Sequence, residues 1–246
     1  VWWFTPEARK RAKLRHPELG DHGHVIYPGA LKPDFDGAHY AKGATLDISH
    51  SGSLNPTRSL KPFLAAVARA RELRPEIADV LRVHVYGSDL DAVTREGISE
   101  YGMEKVVVPH GRLERDPATG KSGRQQVLEA MRRSDALLLV QGTGPFTEEY
   151  IPSKFYEYAW TQRPVIGLRR NNNDIKALFD HTGNAMYHED ETAAIAEAIL
   201  EIYRRWEADD LPDSGKESPY TVEAAVDQIV DAVDKTLSEK GVRPKA

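Results

Sequence analysis

The stretch RRSDALLLVQGTGPFTEEYIPSKFYEYAWTQRPVIG, residues 132–167, carries a complete strand–turn–helix–strand pattern. DALLLV (135–140) is a continuous apolar run of strand length. A glycine turn, GTG, follows it, and then a helical segment over 152–161. PVIG (164–167) is a second short apolar run. Two strands that are apolar on both faces and joined through a helix belong side by side and parallel, covered above and below.

The same alternation extends outward on both sides. LDISH (46–50) reads as a strand that runs into a turn-rich loop, SGSLNPT. Ser59 is expected to cap the next helix, which carries Leu60, Phe63, Leu64 and Val67 on one face. VHVYG (83–87), a short helix near 91–100, VVVPHG (106–111) and a helix over 125–133 lead up to the opening stretch. A helix over 174–183 ended by Gly183, the strand AMYH (185–188) and two amphipathic helices follow it. The last helix aligns Val222, Ala225, Val226, Ile229, Val230, Val233 and Leu237 on one stripe. The pattern predicts an α/β fold with a doubly wound parallel sheet of Rossmann-like type. Such sheets bind ligands at the carboxyl ends of their strands. The glycine segments SGS, YGS, HGR and GTG all fall there.

The helix at 152–161 suggests a chemistry. Pro152 fits its first turn, where a missing N–H costs nothing. At about 100° per residue, Ser153, Lys154 and Glu157 share a narrow arc. Ile151, Phe155, Tyr158 and Ala159 lie on the opposite side, suited to packing. A helix N-terminus favours an anion by roughly 0.3–1 kcal/mol, and Lys154 adds a full charge. Glu157, half a turn deeper, suits hydroxyl groups. A phosphate beside vicinal hydroxyls describes a nucleoside diphosphate. The same three residue types also serve as ordinary capping and solvated residues, so the wider context decides.

Composition narrows the classes. The chain has 246 residues, 40% hydrophobic and 29% charged, which fits one large domain or one and a half. A net charge of −5 argues against a nucleic-acid partner. The absence of cysteine excludes disulfides and thiolate-bound metal, and it fits a reducing, cytoplasmic compartment. No apolar run approaches the ~18 residues of a membrane span. The first residues, VWWF, are strand-like, Thr5-Pro6 reads as a helix start, and His16-Pro17 ends that helix. The basic run RKRAKLR (9–15) offers contact with an anionic membrane or acceptor, although a solvated helix face is its commoner use.

From about residue 44 to 238 the sequence resembles the C-terminal, donor-binding half of GT-B glycosyltransferases, above all the large retaining family numbered four. That family has a Glu, seven residues and a second Glu, and Glu149-YIPSKFY-Glu157 has this spacing. SKFYEYAWTQRPVIG is similar to its SK-hydrophobic-aromatic-EY helix followed by PVI. LDISHSGSL, VHVYGS, VVVPHGRL and RRSDALLLV resemble its other strand-and-turn steps in the same order.

The resemblance implies a single GT-B C-terminal domain over 45–238, a linker at 30–44, a remnant of an N-terminal acceptor domain at 1–29 and a tail at 239–246. It also implies a nucleoside diphosphate sugar as donor substrate, no required metal cofactor, and retention at the anomeric carbon. Carried over by position, Glu157 holds the ribose, and Glu149 lies by the donor sugar as the catalytic candidate. Gly52, Ser53, Arg58, Ser153 and Lys154 meet the diphosphate, and backbone at Gly111, Arg112 and Leu113 meets the base. Many members have Arg after the glycine and Lys five residues later, where this chain has Ser53 and Arg58. The loop ERDPATGKSGR (114–124) is longer than the pattern. The same features also fit a non-catalytic nucleotide-binding or scaffold module, or a related GT-B enzyme such as a sugar-nucleotide epimerase.

Some motifs are lookalikes. ATGKSG lacks the upstream glycine of a phosphate loop, since Arg115 stands there. Asp89-Leu90-Asp91 after a strand's glycine is better suited to capping a helix than to metal. His50 and His110 fall at strand ends beside the expected cleft, where packing or solvent is the commoner fate. Trp160 and Trp206 read as core or interface residues.

Overall fold

The computed structural model describes residues 1–19, 23–87, 89–211 and 218–239. Of the tail expected at 239–246, residues 240–246 lie outside them. Near the start, β1 (Trp2–Trp3) pairs in parallel with β2 (His24–Val25), and α1 (Pro6–Arg15) connects them. Thr5 caps α1 by accepting the Ala8 N–H at 3.0 Å, and His16 closes it. β2 stops at Val25. Pro28 has no N–H to extend the ladder, and Gly29 turns away with φ of 65°.

The main sheet is built from β3 (Leu46–Ser51), β4 (Leu81–Tyr86), β5 (Val107–Gly111), β6 (Ala136–Val140), β7 (Val165–Arg169) and β8 (Ala185–His188). Its order is β5-β4-β3-β6-β7-β8, and every pairing is parallel. This is the doubly wound arrangement that the alternating pattern predicts. One face carries α2 (Lys61–Leu73), α3 (Ile77–Val80), α4 (Ala92–Tyr101) and α8 (Thr192–Glu207). The other carries α5 (Gly123–Arg133), α6 (Ser153–Thr161) and α7 (Asn173–His181).

The period-2 alternation of a strand explains why ALLLV is wholly apolar. Leu138 points into the core with Phe63, Val67 and Ile199, whereas Leu137 and Leu139 point into the one with Phe155 and Phe179. All five residues of β6 are buried. Burying one such leucine stabilises the fold by roughly 1.5–3 kcal/mol.

The cap of α2 differs from expectation. Leu60, not Ser59, occupies the cap position, and it has no side-chain cap bond. Leu60 is fully buried, so its N–H needs a partner inside the protein. Thr94 of α4 supplies it, accepting at 2.9 Å. Thr94 Oγ1 donates in turn to Asp91, whose carboxylate also accepts the Val93 and Thr94 N–H groups at 3.0 and 3.1 Å. Asp91 is therefore the N-cap of α4, the role favoured for the Asp89–Asp91 pair. Asp91→Ala is expected to cost about 0.5–2 kcal/mol of stability. An unchanged thermal midpoint would remove Asp91 from the link between the two helices.

Residues 31–44 form no helix or strand, yet they are pinned to the domain. The Tyr40 hydroxyl donates to Asp135 at 2.7 Å, and the Arg163 guanidinium lies 3.5 Å from the centre of its ring. Trp160 and Trp206 are core residues, as expected; Trp160 Nε1 donates to the Ala30 carbonyl at 3.0 Å. The last helix, α9 (Val222–Glu239), buries Ala225 but exposes Val226, Ile229, Val230 and Val233 of its apolar stripe. Among the described residues, no helix is long and apolar enough to cross a membrane.

Candidate functional site

β3 and β6 are hydrogen-bonded neighbours, but the chain winds from β3 toward β5 and from β6 toward β8. The connections diverge at this pair, so a crevice is left at their carboxyl ends. A cavity of about 340 Å³ opens there, lined among others by His50, Gly52, Arg58, Ser153, Lys154 and Tyr158. A second cavity of about 440 Å³ reaches along the sheet edge to Arg112, Leu113 and Arg124. Ser51, Gly52 and Lys154 line both cavities, so the two form one elongated site.

Each wall has a local cause. Gly52 ends β3 with φ of 146°, a conformation that L side chains rarely adopt, and donates its N–H to the Tyr86 carbonyl at 2.8 Å. The loop then folds Arg58 back by a backbone bond from its N–H to the Asn55 carbonyl at 2.8 Å. Arg58 Nη2 donates to the Tyr150 hydroxyl at 3.2 Å, while its Nε is buried without a partner. On the facing wall, α6 begins at Ser153, with Pro152 just before the first helical residue rather than inside the first turn. The first N–H groups of a helix lack intrahelical partners, and Ser153 and Lys154 present them beside the cavity.

The floor contains His50 and Ser51. His50 is buried; its Nδ1 lies 3.0 Å from the Leu138 carbonyl, and its Nε2 has no partner. Ser51 Oγ also has none. The Tyr158 hydroxyl accepts the Ser51 N–H at 2.9 Å and sits 3.3 Å from the Leu138 carbonyl. Burial keeps His50 neutral, lowering its pKa to about 4, and Arg58 and Lys154 push in the same direction. Three buried polar atoms without partners therefore surround one cavity. Leaving such an atom unsatisfied costs roughly 1–3 kcal/mol.

The two glutamates are held by cations and line neither cavity. Glu157 lies one turn inward, with Oε2 2.7 Å from Lys154 Nζ and Oε1 2.8 Å from Arg124 Nη2. Burial alone would raise the pKa of Glu157, but these two cations outweigh it and hold the carboxyl below its ordinary value. Glu149 lies in the 3-10 turn Thr147–Glu149. Its carboxylate is 3.1 Å from Arg15 Nη2 and 3.5 Å from Arg11 Nη1, and its carbonyl accepts from the Thr5 hydroxyl at 2.8 Å. Arg11 also pairs with Glu148.

Of the residues expected at the site, the structure gathers Gly52, Arg58, Ser153 and Lys154 around the first cavity, and Arg112 and Leu113 around the second. Ser53 is exposed and lines neither. Gly111 closes β5 with φ of 63° and accepts the Gly87 N–H at 2.8 Å; it too lines neither.

Comparison with solved structures identifies the architecture. The fold is similar to part of the GT-B glycosyltransferase fold. A glycosyltransferase from Rickettsia africae superposes with a TM-score of 0.67 at 11% identity, over 96% of this chain and 63% of that one. A S. aureus TarM variant in complex with UDP and sugars gives 0.64 at 11% identity, over 94% and 43%. The pneumococcal O-GlcNAc transferase GtfA with UDP and GlcNAc gives 0.62 at 15%, over 96% and 45%. The chain thus spans 43% to 63% of the length of these structures. No family model matches the chain, and no curated protein does.

Several polar residues of this site have no signal in the sequence. Arg124 reaches Glu157 from the first turn of α5, and no spacing rule relates the two positions. Tyr158, assigned to the packing arc, is buried as expected, but its hydroxyl also braces the cavity floor. Of the two histidines at strand ends, His50 lines the first cavity. His110 instead stacks on Tyr86, ring centres 4.3 Å apart, and contacts His84 at 2.9 Å. The lookalike Lys121 is tied to Glu129 at 2.6 Å and Asp36 at 2.9 Å, while Ser122 caps α5.

Proposed function

We propose that this chain is the sugar-nucleotide-binding part of a glycosyltransferase that moves a sugar from a nucleoside diphosphate donor to an acceptor with retention. One observation carries the reading. Arg58, Lys154 and the N-terminus of α6 converge on a cavity at the point where the sheet's winding reverses. A diphosphate is the ligand that such a set of donors suits. The neighbouring cavity at Arg112 and Leu113 then receives the base. The similar structures in complex with UDP support the same class of ligand.

In this reading Arg58, Ser153 and Lys154 bind the diphosphate, Glu157 the ribose and Glu149 the donor sugar. As the sugar departs, negative charge grows on the diphosphate, and the two cations and oriented N–H groups stabilise it. Residues 1–29 and the linker at 30–44 belong, on the same proposal, to the connection with an acceptor-binding domain.

Isothermal calorimetry against UDP, GDP, ADP and inorganic pyrophosphate tests the proposal. Saturable binding of at least one nucleoside diphosphate is expected, and none at all would overturn it. Glu157→Ala separates two roles. If Glu157 meets the ribose, nucleotide affinity falls about ten- to a hundredfold while pyrophosphate affinity does not. If Glu157 only neutralises Lys154, both affinities rise, and its assignment to the ribose fails.

A further inference from the structure

His50 is a buried titratable group of the first cavity that the proposed binding scheme leaves unused. Its geometry defines its state. The Leu138 carbonyl can only accept, so the proton of the neutral ring sits on Nδ1 at 3.0 Å from it. The other nitrogen, Nε2, then presents a lone pair. That atom is buried, lacks any partner and belongs to a residue lining the cavity beside Gly52. A Cβ added to Gly52 would stand 3.7 Å from it, so ring and glycine turn are in van der Waals range.

Phosphate oxygens are acceptors as well. A diphosphate seated in this cavity would confront the lone pair with like polarity unless the ring gained a second proton. We propose that His50 contacts the ligand, and that its Nε2 takes up a proton as a diphosphate binds and then donates to a phosphate oxygen. The inference rests on the reading of the cavity as a diphosphate site.

The surroundings explain why the change is coupled to the ligand. The charged and titratable groups sharing the cavity are Arg58 from the loop after β3, Lys154 and Tyr158 from α6, and Tyr150 just before α6. β6 contributes Leu139 and Val140 to the wall and the Leu138 carbonyl to the ring. Without a ligand, burial and the two cations disfavour a charged imidazole. A bound dianion offsets Arg58 and Lys154 and adds an acceptor at Nε2, and these two gains oppose the burial that otherwise keeps the ring neutral. Nδ1 keeps its carbonyl throughout.

The experiment uses the whole chain and UDP-glucose, whose phosphates stay fully ionised across the working range. Calorimetry at about pH 6 in two buffers of different ionisation enthalpy counts the protons exchanged. Uptake approaching one proton per site is expected, with affinity falling up to about tenfold per pH unit as the solution becomes more alkaline. His50→Gln keeps a permanent donor near the Nε2 position and should bind with little pH dependence. Nitrogen-15 imidazole spectra of the wild type report the same event directly, as Nε2 changes from bare to protonated on saturation. Binding with no proton uptake and an unprotonated Nε2 overturns the assignment of His50 and leaves the diphosphate site standing. Absence of any binding, to UDP-glucose and to the nucleoside diphosphates alike, overturns both.

Discussion

Replacing both cations of the first cavity, Arg58→Ala with Lys154→Ala, is expected to abolish measurable nucleotide binding. A hydrogen bond to a charged group is worth roughly 1.5–3 kcal/mol, so each single change should weaken binding about ten- to a hundredfold. The two side chains line the same cavity, and their effects will fall short of simple addition. Even so, the pair removes both permanently cationic side chains from that cavity's described lining and leaves the N-terminus of α6 and His50 to face the anion. The helix contributes roughly 0.3–1 kcal/mol at an exposed site, too little to hold a diphosphate alone. The fold should tolerate the change. Arg58 has one exposed side-chain bond, to Tyr150, and Glu157 keeps Arg124 when Lys154 is gone. Titration of the double variant with a nucleoside diphosphate that binds the wild type checks this, alongside a thermal melt. Wild-type affinity in a folded double variant would remove the diphosphate from this crevice.

Fold and site were unequally legible in the sequence. The strand at 136–140 could be read because its apolar residues serve two cores, which leaves a continuous hydrophobic run, whereas the strand at 46–51 sends only Leu46 and Ile48 into one of them. The cap of α2 could not, because the partner of the Leu60 N–H is Thr94, 34 positions away. Of the cavity's lining, Ser153 and Lys154 stood out in the sequence through the chemistry of a helix start, and Arg58 only through the family resemblance. The state of the glutamates was not. Glu149 meets Arg15 across 134 positions, and Glu157 meets Arg124 across 33. His50 is harder still, because what marks it is a bond that is missing. A sequence gives no sign that one ring nitrogen is satisfied and the other is not.

The site also depends on packing that touches no ligand. Phe155 follows Lys154 directly and is 2% exposed. Its ring stacks on Phe179 with centres 5.2 Å apart and meets Tyr156 at 5.4 Å and Tyr220 at 5.7 Å. This cluster fixes α6 against α7 and so aims the helix N-terminus at the cavity. Phe155→Ala is expected to cost about 3–5 kcal/mol, the transfer of the ring plus the void it leaves. For a domain of this size that lowers the melting midpoint by about 6–20 °C. Phe155→Leu fills most of the void and should recover more than half of the loss. Well below its melting point, Phe155→Ala should still bind nucleotide more weakly than Phe155→Leu, because a loosened α6 no longer holds Ser153 and Lys154 in one place. Differential scanning calorimetry and nucleotide titration on the two variants separate the possibilities. Equal melting points for wild type and Phe155→Ala would show that this aromatic cluster does not anchor α6. A large loss of stability with unchanged affinity would show that the anion is held by Arg58 and the glycine turn rather than by the helix.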